Sequence, residues 1–328
     1  MAEKMAGKMA GGGPEKLPIG FAGLGTNDLP PGVQLKRGKV RDSIDLGEQL
    51  VIVTSDRVSA FDQVLAVVPY KGEILNRLSL FWFKKTADIV ENHINEELSA
   101  RTVVVKKATV LPIEVVVRGY LTGSAWRDYA AGKSVSGVRL PSGLEQYQQF
   151  DSPLVTPSTK EQWGTSAGHD RPISREEIID RGIVPETLYR EVEETALRLF
   201  ARGTTIAAAR GLILVDTKYE FGLINGRLTL VDEVHTPDSS RYWYADDYRR
   251  RIADRQPPRR LDKEFLRAAL MEQGYMGDGP APEIPPELIQ SLSERYQETF
   301  SVVTGRRFES QSLSIEAEKE VLRSYLVR

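Results

Sequence analysis

The sequence predicts an α+β protein with an N-terminal antiparallel sheet, a larger central α/β lobe and a helical C-terminal extension. Three observations predict this class. Short runs rich in β-branched residues, separated by turn signals, fill the first third of the chain. Helical periodicity is strongest at residues 185–210 and returns at 262–273 and 286–304. The length of 328 residues is enough for two lobes with a large core.

The N-terminal lobe is predicted over residues 17–111, after a flexible tail at residues 1–16. The tail is rich in Gly, Ala and Lys and has too few apolar residues to order itself. Strands are predicted in the runs QLKRGKVRDSI, QLVIVTSD and QVLAVVPY, the first of which begins at Gln34. Residues 72–92 carry apolar side chains at helical spacing, which predicts an amphipathic helix that covers this sheet.

The central lobe is predicted over residues 112–255 and the helical extension over residues 256–328. Residues 133–172 are rich in Pro, Ser, Gly and Thr without a clear period, which predicts a long loop that covers the substrate. The runs GLILVDTKYEFG and GRLTLVDEV are predicted to form two strands joined by a turn at residues 225–226, because Asn-Gly is a strong hairpin signal.

Composition excludes several classes of protein. The 44 basic and 46 acidic residues give a net charge of -2, which argues against bulk nucleic-acid binding. The arginines of residues 249–260 are interleaved with aspartates, so we interpret them as a solvated surface. The absence of cysteine excludes disulfides, thiolate zinc sites and a cysteine nucleophile. No apolar run reaches the roughly 20 residues of a membrane helix and no signal peptide is recognisable, so we expect a cytoplasmic enzyme.

A basic segment surrounds Gly38. Lys36, Arg37, Lys39 and Arg41 flank this glycine, which would let the backbone approach a phosphate while Lys39 supplies a point charge. The alternative is a basic edge strand that deters aggregation, and the segment taken alone favours this alternative. Generic nucleotide-binding motifs such as GxxxxGK[ST] are absent from the chain, so they do not decide between the two.

A second segment, LVDTKYEFG, places three charges on one face of a predicted strand. Alternation puts Asp216, Lys218 and Glu220 on that face and the intervening residues on the other. Asp232 and Glu233 follow after the predicted hairpin, so two strands deliver carboxylates to a common end. Carboxylates placed in this way suit a divalent cation that bridges ATP phosphates. The alternative is an exposed, solvated sheet surface.

A third segment, PIEVVVRGYLTGS, combines a strand with the start of a helix. Glu114 and Arg118 share one face of the strand, and Thr122, Gly123 and Ser124 lie where the helix begins. The N–H groups of a helix N-terminus, a hydroxyl and a nearby arginine together form a natural anion site. The alternative is a simple Ser/Thr helix cap.

Six segments in the same order resemble the SAICAR synthase (phosphoribosylaminoimidazole-succinocarboxamide synthase) family. They are RGKVRD at 37–42, TSDRVSAFD at 54–62, LPIEVVVRGYLTGS at 111–124, TPSTK at 156–160, LVDTKYEFG at 214–222 and DEVHTPDSSRYW at 232–243. The resemblance covers roughly residues 30–305, and the helical C-terminus is similar to the longer, yeast-like branch. It implies a two-lobed ATP-binding fold.

The resemblance implies an ATP-dependent ligase of de novo purine biosynthesis. ATP would phosphorylate the carboxylate of CAIR, a ribonucleotide that carries a 4-carboxylate on 5-aminoimidazole. The amine of L-aspartate would then displace phosphate from the acyl phosphate and give SAICAR. Such a site needs cations for the phosphates, so the implied cofactors are ATP and Mg²⁺, and the implied partners are CAIR and L-aspartate.

Residues that match the family's segments take on implied roles at the nucleotide and the metal. Lys39, together with Gly38 and Arg41, would contact the ATP phosphates. Glu220 and Asp232 would hold Mg²⁺.

The implied catalytic residues are Glu114, Lys218 and Asp216. Glu114 would lie near the metal and the CAIR carboxylate, Lys218 would balance charge as the acyl phosphate forms, and Asp216 would orient Lys218. The residues implied to hold CAIR are Arg118, Ser124, Ser240 and Arg241. Those implied to face the substrates from a loop are Asp56, Arg57, Ser59 and Asp62. Those implied to bind aspartate from the covering loop are Thr156, Ser158 and Lys160.

The metal assignment carries a geometric expectation. In a regular two-residue turn at residues 225–226, Glu220 lies opposite Val231, and alternation sends Asp232 to the other face. Both carboxylates can share one cation only if something shifts the register by one residue. We therefore predict an irregularity within residues 222–232.

Two other functions stay open on the sequence alone. A small-molecule kinase would use the same lysine and carboxylates but would release ADP without an amine. A regulatory protein that binds nucleotide without catalysis is the second alternative, and intact Lys39, Glu114, Glu220 and Asp232 argue against it.

Overall fold

The computed structural model describes residues 18–61, 63–160, 171–261, 264–277 and 279–327. The predicted tail at residues 1–16 and the predicted substrate residue Asp62 lie outside these ranges. In the described part of residues 18–130 the elements are β1 (Leu35–Arg37), β2 (Arg41–Asp45), β3 (Gln49–Thr54), β4 (Arg57–Ala60), β5 (Gln63–Val67), α1 (Lys71–Thr86), β6 (Glu91–Asn92), β7 (Ile94–Glu97), β8 (Thr102–Lys106), β9 (Thr109–Tyr120) and α2 (Gly123–Ala130). In the described part of residues 131–327 they are β10 (Gln149–Thr159), β11 (Arg171–Pro172), α3 (Arg175–Asp180), α4 (Glu186–Ala208), β12 (Leu212–Ile224), β13 (Arg227–Val231), β14 (Ser240–Tyr244), α5 (Tyr248–Ala253), α6 (Glu264–Glu272), α7 (Pro286–Thr304) and α8 (Ile315–Leu326). This mixture of sheets and helices confirms the predicted α+β class.

A five-stranded antiparallel sheet, in the order β1-β2-β3-β8-β7, forms the N-terminal lobe. Its strands alternate, so Ile44, Val51, Val53 and Val104 are buried together on one face. They share a small core with Leu322 of α8, which lies near the end of the chain. The predicted N-terminal sheet is therefore confirmed.

Two predictions for this lobe need correction. The run QVLAVVPY does not join the five-stranded sheet, because β5 pairs with β4 in a separate two-stranded sheet. The predicted helix at residues 72–92 is α1, which ends at Thr86, and β6 occupies residues 91–92. Leu75 and Trp82 of α1 are buried in the main core, so the expected apolar face is present.

A seven-stranded sheet crosses the centre of the molecule in the order β11-β10-β9-β12-β13-β6, with β14 also paired to β12. On one edge of β12, β14 pairs with the first part of the strand and β13 with the last part. The loop at residues 232–239 joins β13 to β14 beside the middle of β12, where Lys218 N donates to Ser239 O at 2.9 Å. Helix α4 covers one face of the sheet, and Val192 and Leu199 lie in the same core as Tyr219.

The predicted covering loop at residues 133–172 is wrong in its middle part. Residues 149–159 form β10, which pairs with β9 along Leu154–Thr159 and carries the short strand β11 on its other edge. Proline and serine weaken the strand signal in QFDSPLVTPST, but pairing with a long central strand decides the conformation. Residues 161–170 of the predicted loop lie outside the described residues.

The C-terminal extension packs back onto both lobes. Helices α6 and α7 confirm the two predicted helices, and Ser293 of α7 donates to the Pro69 carbonyl at 2.9 Å beside α1. The buried carboxylate of Glu73 accepts hydrogen bonds from the Ser310 and Ser312 hydroxyls, each at 2.7 Å. The predicted lobe boundaries stay predictions, although the one at residues 111–112 falls inside β9. No described helix has the length and apolar character to span a membrane.

Candidate active site

One face of the central sheet carries two opposed pairs of charged residues. Strands β9 and β12 run antiparallel in a register that sets Glu114 opposite Glu220 and Arg118 opposite Asp216. Lys218 lies between the two pairs and faces the same side, because residues two apart on a strand share a face. The intervening aromatic residues of β12 turn into the hydrophobic core. The alternation predicted for LVDTKYEFG is therefore confirmed.

The first pair belongs to a network of two carboxylates and two lysines. Lys218 Nζ lies 2.9 Å from Glu114 Oε2 and 2.7 Å from Glu220 Oε1. Ser158 Oγ donates to Glu114 at 2.9 Å, and Lys160, just after β10, forms an ion pair with Glu220. Burial alone raises the pKa of the Glu220 carboxyl, but Lys218 and Lys160 outweigh it and lower that pKa to about 2. Glu220 is therefore ionised at neutral pH.

Two more carboxylates come from the start of the 232–239 loop. Arg41 of β2 reaches them from the N-terminal sheet, with Nη1 3.1 Å from Asp232 Oδ1 and Nη2 2.8 Å from Glu233 Oε2. Burial raises the pKa of Asp232 to about 6; Glu220 and Glu233 add to this effect, and Arg41 opposes it. The site therefore lies where the two lobes meet, and ionisation of Asp232 is costly there.

The hairpin between β12 and β13 is regular, so the register shift expected in its turn is wrong, whereas the irregularity predicted within residues 222–232 is present at Asp232. Ile224 pairs with Arg227 and Glu220 with Val231, around an Asn-Gly turn with φ values of 51° and 76°. The irregularity lies at Asp232 itself, which follows the strand with φ 66°. Aspartate tolerates this left-handed conformation better than most residues. In this conformation the Asp232 side chain no longer follows the alternation of faces along the strand. The charge of Glu220 contributes to the raised pKa of Asp232, so the two carboxylates repel each other.

The second pair belongs to a group of arginines around one carboxylate. Asp216 accepts a hydrogen bond from Arg241 Nη1 at 2.6 Å and lies 3.6 Å from Arg118 Nη1. Arg118 also donates to the Thr156 hydroxyl at 2.9 Å and to the Ser124 hydroxyl at 3.2 Å. Asp216 therefore orients two arginines rather than Lys218, which corrects its predicted role.

The start of α2 faces the same arginines. Among the described residues, its N-cap Thr122 makes no side-chain capping hydrogen bond, so the interpretation as a simple helix cap is wrong. Gly123 has a φ of 59°, and a Cβ built there would lie 2.8 Å from Arg241 Nη2. The guanidinium therefore packs directly on the helix start. The backbone N–H groups, the Ser124 hydroxyl and two guanidinium groups have the composition of an anion site.

The sequence also matches the profile of one known family over most of its length. The profile of SAICAR synthetase covers residues 34–282. The chain belongs to the SAICAR synthetase family. It is 46% identical over 297 residues to the phosphoribosylaminoimidazole-succinocarboxamide synthase of Bacteroides thetaiotaomicron, an alignment that covers 89% of this chain and 94% of that protein.

Two solved structures of SAICAR synthetases share the fold. The enzyme of Saccharomyces cerevisiae, complexed with SAICAR, has a TM-score of 0.73 at 32% identity and covers 87% of this chain and 98% of its own. A Type-2 SAICAR synthetase in complex with ADP has a TM-score of 0.64 at 26% identity and covers 84% of this chain and 100% of its own. The predicted family, fold and enzyme class are confirmed.

In this SAICAR synthetase the basic segment forms the turn between β1 and β2. Gly38 N donates to Arg41 O at 2.8 Å, and a Cβ on Gly38 would lie 2.5 Å from that oxygen, so glycine is needed here. Lys36 lies on β1, an edge strand, which fits the alternative interpretation for that residue. Lys39 lies in the turn itself and is exposed, and its predicted contact with the ATP phosphates stays a prediction.

The prediction that Asp56 and Arg57 share a loop is wrong for Arg57, which lies on β4; Asp56 lies in the short connection before it, and both residues are buried. Arg57 is buried in β4, where Nη2 lies 2.6 Å from Asp42 Oδ1 and also donates to the Gly38 carbonyl at 3.0 Å. Asp56 is buried and accepts from the backbone N–H of Phe21 at 2.7 Å. Asp56 and Arg57 therefore join interior segments, and Arg57 supports the turn between β1 and β2 through the Gly38 carbonyl.

The two serines expected at the substrates lie in different surroundings. The Ser240 hydroxyl is buried and donates to the Thr217 hydroxyl at 2.7 Å, on the face of β12 opposite to Lys218. This contact supports a structural role for Ser240 and corrects its predicted role. Ser59 lies half-buried on β4 rather than on a loop, and its predicted contact with substrate stays a prediction.

Three residues that support the 232–239 loop were not assigned a role from the sequence. Asp238 lies 2.8 Å from the ammonium of Lys71 and accepts a hydrogen bond from the Tyr296 hydroxyl at 2.6 Å. Asp238 has a signal, because it lies inside the segment DEVHTPDSSRYW. Lys71 and Tyr296 have none, because they are far apart in the chain and belong to no motif.

Proposed function

We propose that this chain joins the carboxylate of CAIR to the amine of L-aspartate at the expense of ATP, giving SAICAR, ADP and phosphate. One observation carries the proposal: a single sheet face presents an anion site of two arginines beside a cluster of lysines and carboxylates. A carboxylate is a poor electrophile, so the reaction needs ATP to convert it into an acyl phosphate. The two adjacent clusters are suited to hold a phosphorylated nucleotide and to transfer phosphate to it.

The arginine group is the proposed site for CAIR. Arg118 and Arg241 offer guanidinium groups, which bind phosphate and carboxylate groups bidentately. The Ser124 hydroxyl and the N–H groups at the start of α2 add further donors. Asp216 contacts both arginines and can fix their orientation toward CAIR.

The lysine–carboxylate network is the proposed site of phosphoryl transfer. Glu220 and Glu114 hold Lys218 in its protonated form and raise its pKa, although burial opposes this. Its ammonium group can therefore balance the negative charge that develops between ATP and the CAIR carboxylate. Lys39 is proposed to contact the ATP phosphates from the β1–β2 turn. Lys160, with Ser158, remains the proposed contact for aspartate.

The chemistry of the carboxylates fits Mg²⁺. Burial, together with the charges of Glu220 and Glu233, disfavours the ionised form of Asp232, a cost that a divalent cation would offset. Among the described residues no group of three or more His, Cys, Asp or Glu side chains is placed to hold a metal ion. Mg²⁺ usually takes one or two carboxylates and completes its shell with water and substrate phosphates. When bound, it would neutralise charge on the ATP phosphates.

The test of this proposal is the dependence of ADP release on each substrate. With Mg-ATP, ADP should form only when CAIR and L-aspartate are both present, with one SAICAR for each ADP. Other amino acids at the same concentration are the matched controls for the amine. Rapid ADP release with CAIR alone and without SAICAR would support the small-molecule kinase instead. Binding of ATP without turnover under all conditions would support the regulatory protein.

A further inference from the structure

One buried histidine connects the 232–239 loop to the underside of the site. His235 is fully buried, and its Nε2 lies 2.5 Å from the hydroxyl of Tyr219. Its ring packs edge-on against Trp82 of α1, with ring centroids 4.6 Å apart. On the α4 side, a Cβ built on Gly203 would lie only 2.4 Å from His235 Cε1. The ring therefore fills a closed space between two helices and β12.

This position is costly for the chain. His235 has a φ of 51°, a left-handed conformation that non-glycine residues rarely adopt. Among the described residues its Nδ1 has no hydrogen-bond partner although it is buried. Burial lowers the pKa of the imidazole to about 3, so the ring is neutral. Its carbonyl accepts a hydrogen bond from the Tyr242 hydroxyl at 2.7 Å, which also holds the loop.

The contact with Tyr219 lies directly beneath the charged face of the sheet. Tyr219 stands between Lys218 and Glu220 on β12 and points to the opposite face. His235 follows Asp232 by three residues on the loop. The contact therefore ties the loop that carries Asp232 to the strand that carries Glu220.

We propose that His235 is a positioning residue: its contact with Tyr219 fixes the 232–239 loop so that Asp232 and Glu233 stay at Arg41 and Asp232 keeps its position relative to Glu220. The inference rests on the proposed function only in assigning a metal to these carboxylates. His235 itself does not touch the reacting groups. It acts by fixing the distance between carboxylates that come from two different segments.

Two variants test this role, with one matched control. His235→Phe keeps a planar ring but removes the nitrogen that contacts Tyr219. Tyr219→Phe removes only the hydroxyl from the other side and is the milder change if His235→Phe fails to fold. Tyr189→Phe removes the hydroxyl of another buried tyrosine in the same core, on α4 and away from the loop, and serves as the control.

The first measurement is titration of the full chain with ADP, with Mg²⁺ and with a chelator. Changes to residues that support metal ligands typically cost 10- to 100-fold in metal affinity. The Mg²⁺-dependent gain is the factor by which Mg²⁺ increases the affinity for ADP. We expect this factor to be at least about tenfold smaller in both variants than in the wild type, while the ADP affinity measured with the chelator stays unchanged. Tyr189→Phe should keep the full gain. An unchanged gain in both variants would overturn the proposal and leave His235 a purely structural residue.

The second measurement is amide hydrogen exchange of residues 232–239 without ligands, which separates this proposal from the proposed function. We expect faster exchange of this loop in His235→Phe than in the wild type, while β9 and β12 stay protected. Unchanged exchange of the loop would overturn the proposal. If the wild-type protein shows no Mg²⁺-dependent gain at all, the metal assignment fails, and the exchange of the loop alone decides the role of His235.

Discussion

Glu114 and Glu220 lie directly opposite each other on β9 and β12, and the ammonium of Lys218 lies within 3 Å of a carboxylate oxygen of each. Two like charges in opposed positions of a sheet destabilise it. Lys218 and Lys160 offset this cost, but Asp232 adds a further carboxylate that burial makes reluctant to ionise. A sheet face with this composition is poorly suited to stability alone, and it is well suited to a cation that arrives with ATP.

The first prediction concerns Glu220→Gln, which keeps the shape of the side chain and removes its charge. We expect the Mg²⁺ concentration for half-maximal activity to rise at least about tenfold, because a metal ligand is weakened. The measurement is the initial rate of SAICAR formation against Mg²⁺ at saturating ATP. Glu97→Gln, an exposed carboxylate on β7, is the control and should match the wild type. A normal Mg²⁺ requirement in Glu220→Gln would contradict the metal assignment.

The second prediction concerns Lys39→Ala in the β1–β2 turn. A charge-assisted contact contributes about 1.5–3 kcal/mol, so kcat/KM should fall about 10- to 100-fold. The melting temperature without ligands should stay unchanged, because the side chain is exposed. Lys36→Ala, an exposed lysine on the edge strand β1, is the matched control and should keep its activity. Equal activity of the two variants would mean that the whole segment is a basic edge.

The hairpin and the charged face could be predicted from sequence because each depends on a short stretch of chain. An Asn-Gly pair selects its own turn, and alternation along LVDTKYEFG sets which side each charge faces. The conformation of Asp232 could not be predicted in this way. Its φ of 66° belongs to the loop that leaves the sheet there, so the alternation of the strand holds up to Val231 and does not extend to Asp232.

Other features depend on pairing between distant segments and leave no local signal. Asp56 and Arg57 have the composition of a binding loop, but their partners at Phe21 and Asp42 make them interior residues. The strand β10 has a loop-like composition, but β9 supplies the pairing that its own residues do not specify. Burial and pairing of polar groups are properties of the assembled core, and a single sequence does not contain them.

The third prediction separates the arginine group from the nucleotide site. Arg118→Ala and Arg241→Ala should each weaken CAIR binding at least about tenfold, because each removes a charged donor to the substrate. Binding of Mg-ATP should survive in both variants, as measured by titration. The Arg118 side chain is more buried than that of Arg241, so its variant should also melt at a lower temperature than Arg241→Ala. An equal loss of affinity for CAIR and for Mg-ATP would indicate a structural role for these arginines.

The fourth prediction concerns the pH dependence of stability without ligands. The pKa of Asp232 is about 6 in the folded protein, above the ordinary aspartate value of 3.8. The folded state therefore binds this proton more tightly than the unfolded state, and its contribution to stability is lost as the pH rises from about 4 to about 6. The asparagine side chain of Asp232→Asn does not titrate, so it makes no such pH-dependent contribution. Arg41 keeps its partner Glu233 in the variant.

The melting temperature of Asp232→Asn, relative to the wild type, should therefore rise across this pH range and level off above it. Thermal melts of both proteins at half-unit steps from pH 4 to pH 8 measure the difference, and Asp254→Asn, an exposed aspartate after α5, should show no such trend. Mg²⁺ requires the ionised carboxylate, so the affinity of the wild type for Mg-ADP should increase over the same range as the proton leaves. Parallel melting curves for Asp232→Asn and wild type would mean that Asp232 is ionised throughout, and that it needs no cation to offset its burial.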